Sequence, residues 1–184
     1  VKGFAIRNLT INSPDTMYVS LLGNIMPTGK ASNIKLTDAN FTGYREVGGI
    51  AGRNNGEIRN SSFNGKLNWY YSRANSSAAG GIVGYNSGLV SQCRSEGEIT
   101  AYETQATGGA SSDVGGLVGL QQSSIAIEDS YSSMNLDGKM QFAGGLVGSN
   151  GAGTQLKSSY SYGKILGTAT NKGGLVGGSQ NAAG

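Results

Sequence analysis

No histidine occurs in the 184-residue chain, cysteine and tryptophan occur once each, and proline occurs twice. Without histidine the chain cannot assemble Ser-His-Asp or Cys-His nucleophile systems, a His-Glu-x-x-His zinc helix or the usual histidine-assisted metal sites. The single cysteine, Cys93, cannot close an intramolecular disulfide. Charged residues make up only 14% of the chain, and no apolar run reaches the roughly twenty residues that a membrane-spanning helix needs, so no direct membrane insertion is expected. Scarce proline and the lack of a three-residue glycine period exclude collagen.

Glycine, by contrast, is abundant, with 32 residues. That content suits neither a helical bundle, where each interior glycine costs about 1 kcal/mol relative to alanine, nor a charge-rich disordered tail. The glycines recur in a pentapeptide: Gly48-Gly49-Ile50-Ala51-Gly52, Gly80-Gly81-Ile82-Val83-Gly84, Gly115-Gly116-Leu117-Val118-Gly119, Gly144-Gly145-Leu146-Val147-Gly148 and Gly173-Gly174-Leu175-Val176-Gly177. A degenerate first copy reads Val19-Ser20-Leu21-Leu22-Gly23, and the final glycines are spaced by 29, 32, 35, 29 and 29 residues. Self-similarity at such a period is the signature of a stacked repeat architecture.

A second block repeats between the pentapeptides, anchored on Ile6, Leu36, Ile58, Val90, Ile127 and Leu156. Three residues after each anchor stand Leu9, Ala39, Ser61, Cys93, Ser130 and Ser159, and later columns hold Gly43, Gly65, Gly97 and Gly163, then Leu67, Ile99, Leu136 and Ile165. Alternation of this kind is strand periodicity. The sequence therefore predicts an all-β fold, a right-handed parallel β-helix (β-solenoid) of about six coils with no substantial helix, spanning 1–184 as one segment. At about 4.8 Å per coil the rod would be roughly 30 Å long.

The small-residue column containing Cys93 predicts a tight interior corner and an inert, buried thiol. Two residues after the anchors runs a polar column, Asn8, Asp38, Asn60, Gln92, Asp129 and Ser158. Its side chains suit bonding to the backbone at a corner; the sharper alternative, a calcium ladder, lacks the Gly-Gly-x-Gly-x-Asp pattern, so no metal is expected. Carboxylate chemistry on polysaccharide would draw on Glu96, Glu98, Glu128 and Asp129 with Arg94 or Lys157. A solvated face is the plainer reading, and no catalytic residue, no cofactor and no enzymatic activity are expected.

The strongest repeat cores, Gly116-Leu117-Val118-Gly119, Gly145-Leu146-Val147-Gly148 and Gly174-Leu175-Val176-Gly177, resemble the GLUG-motif repeat family, named for its Gly-Leu-(any)-Gly core. The resemblance implies a bacterial surface or secreted protein, since such repeats occur in adhesin-like proteins and in the amino-terminal regions of immunoglobulin A peptidases. It implies no particular activity.

The repeats lengthen between 65 and 80 and between 97 and 115, which predicts two insertion loops side by side. They carry Trp69, Tyr70, Tyr71, Arg73 and Tyr102, the candidate ligand-binding residues for carbohydrate or a host or bacterial surface protein. The competing reading is that Trp69 and Tyr70 merely cover the coil flank. A net charge of +3 with scattered basic residues gives no nucleic-acid signature, although Arg45, Arg53, Arg59, Lys66 and Arg73 fall in consecutive coils. The expected role is a stalk and interaction module of an extracellular adhesin, or else a passive arm positioning a peptidase. Val1 and Gly184 read as ends cut from a longer protein, so flanking domains of the same chain and end-to-end self-association are further expected partners.

Overall fold

The computed structural model describes residues 5–151 and 154–179. Val1 and Gly184 lie outside the described residues. Parallel strands stack into a three-sided β-solenoid, and the described residues contain no helix.

Each full coil contributes one strand to each of two sheets and either one long strand or two consecutive strands to the third. The pentapeptides supply the six-stranded sheet, in which Ala51–Asn54, Val83–Asn86, Val118–Gln121, Val147–Asn150 and Val176–Ser179 lie in order. Short strands such as Glu57–Arg59 and Leu89–Ser91 form a five-stranded sheet. The third side is an eleven-stranded sheet dominated by Lys35–Tyr44, Ser62–Ser72, Arg94–Gln105 and Tyr131–Gly144.

Three aliphatic columns meet inside. Ala51, Val83, Val118, Val147 and Val176 stack in register on one side. Ala31, Ile58, Val90, Ile127 and Leu156 stack on the second. Ile11, Phe41, Leu67, Ile99, Leu136 and Ile165 stack on the third. Burying a side chain of this size contributes about 1.5–3 kcal/mol, and a single coil has no neighbour against which to bury it.

The register corrects two of the anchors. Ile6 pairs with Leu36, and Leu36 pairs with Phe63 rather than Ile58; the true counterpart of Ile58 in the preceding coil is Ala31. A bulge between Leu36 and Ala39 restores the strand's phase, so that Phe41 still falls on Leu67. Gly43 accordingly sits beside Trp69 rather than above Gly65.

Glycine is needed in the pentapeptide for room. None of its glycines in the five full copies has a positive φ. A Cβ on Gly81, Gly116 or Gly145 would overlap the carbonyl oxygen of the equivalent glycine in the following coil and the serine facing it across the interior. The first glycine of each pair meets instead the carbonyl of the residue three positions on, as Gly115 meets that of Val118.

The polar column turns out to be a left-handed corner. Asn33, Asn60, Gln92, Asp129 and Ser158 all have φ between 45° and 59°, a region where asparagine and aspartate are enriched among non-glycine residues. The N–H groups of the first four still donate to the next coil, for example Asn60 to Ser91 and Gln92 to Glu128 at 3.1 Å each. Asn8 and Asp38, also left-handed, belong to the separate bulge in the first two coils.

Next to this corner the serine column bridges coils. Ser130 Oγ accepts from Cys93 N–H at 3.0 Å and donates to the Glu128 carbonyl at 2.7 Å, and Ser159 repeats the pattern one coil on. Cys93 occupies the same column, 1% exposed, its thiol pushed up to about 11 by burial. At another corner the buried amides of Asn54, Asn86 and Gln121 form an internal ladder, with bonds of 2.7 and 2.6 Å.

Candidate functional site

The two lengthened segments continue the long sheet as far as Ser72 and Gln105, and only residues 73–76 and 106–111 form loops. Trp69 to Ser72 extend one strand and Ala101 to Gln105 the next, pairing residue by residue up to Glu103. The reason is the period of two: Leu67, Trp69 and Tyr71 all face inward, so the added residues bury apolar surface while keeping the backbone ladder.

This strand geometry divides the five sequence candidates. Trp69 and Tyr71 are core residues, 0% and 1% exposed, stacked on each other at 4.5 Å. Trp69 Nε1 donates to the Arg45 carbonyl at 2.6 Å, and Tyr71 Oη donates to the Lys139 carbonyl at 2.7 Å. With no exposed ring face, neither can meet a ligand from solvent, and both leave the candidate set. Tyr70 and Tyr102 lie on the outer face, stacked at 4.8 Å, in one column with Tyr44. Arg73 is half-buried beside a small hollow shared with Glu103 and Lys139, which pair at 2.7 Å.

The larger concavity lies at the opposite edge of the same outer face, where each coil turns through the left-handed corner. A groove of about 840 Å³ runs along Asn33, Asn60, Gln92 and Asp129 and is floored by Ser61 and Cys93. It continues across the sheet into hollows of about 350 and 510 Å³, with Lys35, Arg94 and Tyr131 common to the first two. The bank is itself a register column: Lys35, Ser62, Arg94, Tyr131 and Tyr160 lie on successive strands.

Tyr131 and Tyr160 stack at 5.2 Å with ring planes 5° apart, and Tyr162 closes a cluster at 6.1 to 6.2 Å from both. Tyr160 and Tyr162 are 54% and 65% exposed, enough to offer ring surface to a ligand. Arg7, Lys35 and Arg94 bring positive charge to this region, and Asp38, Glu96 and Asp129 bring negative charge. Farther along the outer face Lys66 and Glu98 pair at 2.7 Å, and the hydrogen bond that Lys66 donates to Glu98 raises the lysine pKa. The basic residues do not form one stripe: Arg53 lies over the Tyr85 ring on the six-stranded sheet, and Arg59 pairs with Glu57 on the five-stranded sheet.

The tyrosine cluster escaped the sequence reading, although a signal was present. Tyr131 and Tyr160 stand 29 residues apart, one base repeat.

The fold defines a class, the parallel β-solenoid with one repeat per coil. Within it, two stretches of the chain match the model of the GLUG motif, residues 43–68 and 75–100, each running from the end of one long strand through both following sides to the next. The chain is also similar to Halomucin of Haloquadratum walsbyi (strain DSM 16790 / HBSQ001), 35% identical over 65 residues, which is 35% of this chain and 1% of that protein. The chain thus spans about 1% of the length of the curated relative it matches. No solved structure matches the chain.

Proposed function

We propose that this segment is a non-catalytic stalk and interaction module of a large secreted or cell-surface protein, and that it binds carbohydrate in the groove beside the left-handed corner. The observation carrying this reading is the bank of Lys35, Arg94 and Tyr131, which joins a stacked tyrosine cluster to a groove crossing successive coils. Sugars are amphipathic ligands, recognised by aromatic surface together with hydrogen-bonding groups. The exposed tyrosines offer the first, and Asn33, Asn60, Gln92 and Asp129 offer the second. Because the polar residues repeat once per coil, an extended chain of sugars laid along the rod meets an equivalent group at each step. The GLUG match and the similarity to Halomucin support placement outside the cell. The lack of histidine and the engagement of Glu98 by Lys66 favour binding over hydrolysis.

A glycan and surface-protein array tests the reading, using the chain and its Tyr162→Ala, Arg94→Ala and Tyr102→Ala forms. Tyr162→Ala and Arg94→Ala are each expected to weaken glycan binding about two- to tenfold, the range for about 0.5–1.5 kcal/mol of aromatic or charged contact. Tyr102→Ala, at the far edge, is expected to leave it unchanged. Absence of glycan binding by the unsubstituted chain, or equal loss in all three, would sink the proposal and leave a passive spacer.

A further inference from the structure

We infer that Asn40 is an acceptor for an N-linked glycan. The inference rests on the extracellular placement proposed above, because such transfer occurs on exported chains. Asn40-Phe41-Thr42 satisfies the Asn-x-Ser/Thr acceptor pattern with a non-proline middle residue. The pattern also occurs at Asn8, Asn60 and Asn75, and the structure separates these from Asn40.

Asn40 lies on the exposed outer face of Lys35–Tyr44, and the alternation of the strand sends Phe41 into the core and Thr42 to the same outer face. Asn68 Nδ2 donates to Asn40 Oδ1 at 3.1 Å and to Thr42 Oγ1 at 3.4 Å. One neighbour thus holds the amide oxygen and the threonine hydroxyl together and leaves Asn40 Nδ2, the atom that carries the sugar, without a partner among the described residues. Asn60 Nδ2, by contrast, is engaged with Asn33 Oδ1 at 2.6 Å in the corner ladder. Asn8 sits on the left-handed bulge. Asn75 is exposed, but its acceptor-pattern hydroxyl, Ser77, is buried and turned back onto the Asn75 carbonyl.

In the step itself Asn40 Nδ2 attacks the anomeric carbon of an oligosaccharide carried on a polyprenyl phosphate or pyrophosphate. The C–N bond forms as the C–O bond to phosphate breaks; the phosphate leaves with the electron pair, and the amide proton passes to a base of the transferase. A glycan here would stand over the Lys66 and Glu98 end of the outer face, since Asn40 pairs with Lys66 in register. Asn40 lines the hollow of about 510 Å³ but neither of the two hollows that hold Tyr131 and Tyr162, so modification and binding at the tyrosine bank are read separately.

The full chain, secreted from a eukaryotic host with N-glycosylation machinery, is analysed by intact mass and by peptide mapping after amidase release. The expected result is a glycan at Asn40 that is lost in Asn40→Gln and Thr42→Ala and kept in Thr42→Ser, with secreted protein of native circular dichroism in every case. Folded, secreted chain carrying no glycan at Asn40, or carrying one only at Asn60 or Asn75, overturns the inference. Array binding by unglycosylated chain made in a cytosolic host reads the groove separately, so failure of one leaves the other standing.

Discussion

Replacing Trp69 tests the assignment of the aromatic segment to the core. Its indole is fully buried, stacked on Tyr71, and its Nε1 holds the Arg45 carbonyl. Truncation to alanine removes this contact surface and leaves a cavity, a loss of about 3–5 kcal/mol, while the Arg45 carbonyl keeps its bond from the Ala78 N–H at 3.0 Å. With a urea slope of about 2 kcal/mol/M, the unfolding midpoint should fall by about 2 M. Trp69→Phe keeps a ring but loses the donor and should cost about 1–3 kcal/mol. Urea titrations followed by far-ultraviolet circular dichroism measure both variants. Trp69 is also the sole tryptophan, so iodide quenching of native fluorescence reports its burial directly. An alanine variant within about 1 kcal/mol of the parent, or quenching as strong as for free tryptophan, would refute the placement.

Two further measurements probe the coil interior. Burial holds the Cys93 thiol at about 11, above the reference value of 9.0. The folded chain therefore keeps a proton that the unfolded chain releases, and this contribution to stability is complete below pH 9.0 and lost as the pH rises towards 11. Disulfide reagents should react with native chain only at the rate of unfolding, and Cys93→Ser should remain within about 1 kcal/mol of the parent, because serine already fills this column in neighbouring coils. Rapid labelling of folded chain would contradict the burial. Gly116→Ala should cost about 1–3 kcal/mol through overlap with Gly145 and Ser132. Gly109→Ala, with nothing within 4 Å of the added carbon, should be neutral or stabilising by up to about 1 kcal/mol; equal melting temperatures for the two variants would refute the steric role of the paired glycines.

Several features were legible because they depend on local repetition. The Gly-Gly pentapeptides mark the six-stranded sheet, the Leu67, Ile99, Leu136 and Ile165 column lies as the spacing implies, and Cys93 is buried among small residues. The anchor at Leu36 misled because Ala31, the real counterpart of Ile58, gives a weak apolar signal, and the columns counted from Leu36 are displaced with it, Ala39 onto Gly65 and Gly43 onto Trp69. The aromatic segment misled differently: added length was read as loop, although Leu67, Trp69 and Tyr71 already alternate as an inward strand face.

Repetition by itself was enough to determine a rod of stacked coils, because like residues at a constant spacing bury their apolar faces only against copies of themselves. The functional surface needed the tertiary structure. The residues of the Lys35, Ser62, Arg94, Tyr131 and Tyr160 bank are 27 to 37 positions apart in the chain, and only the exact register of one coil on the next makes them neighbours. A bulge of a single residue shifts that register and decides which side chains face solvent together.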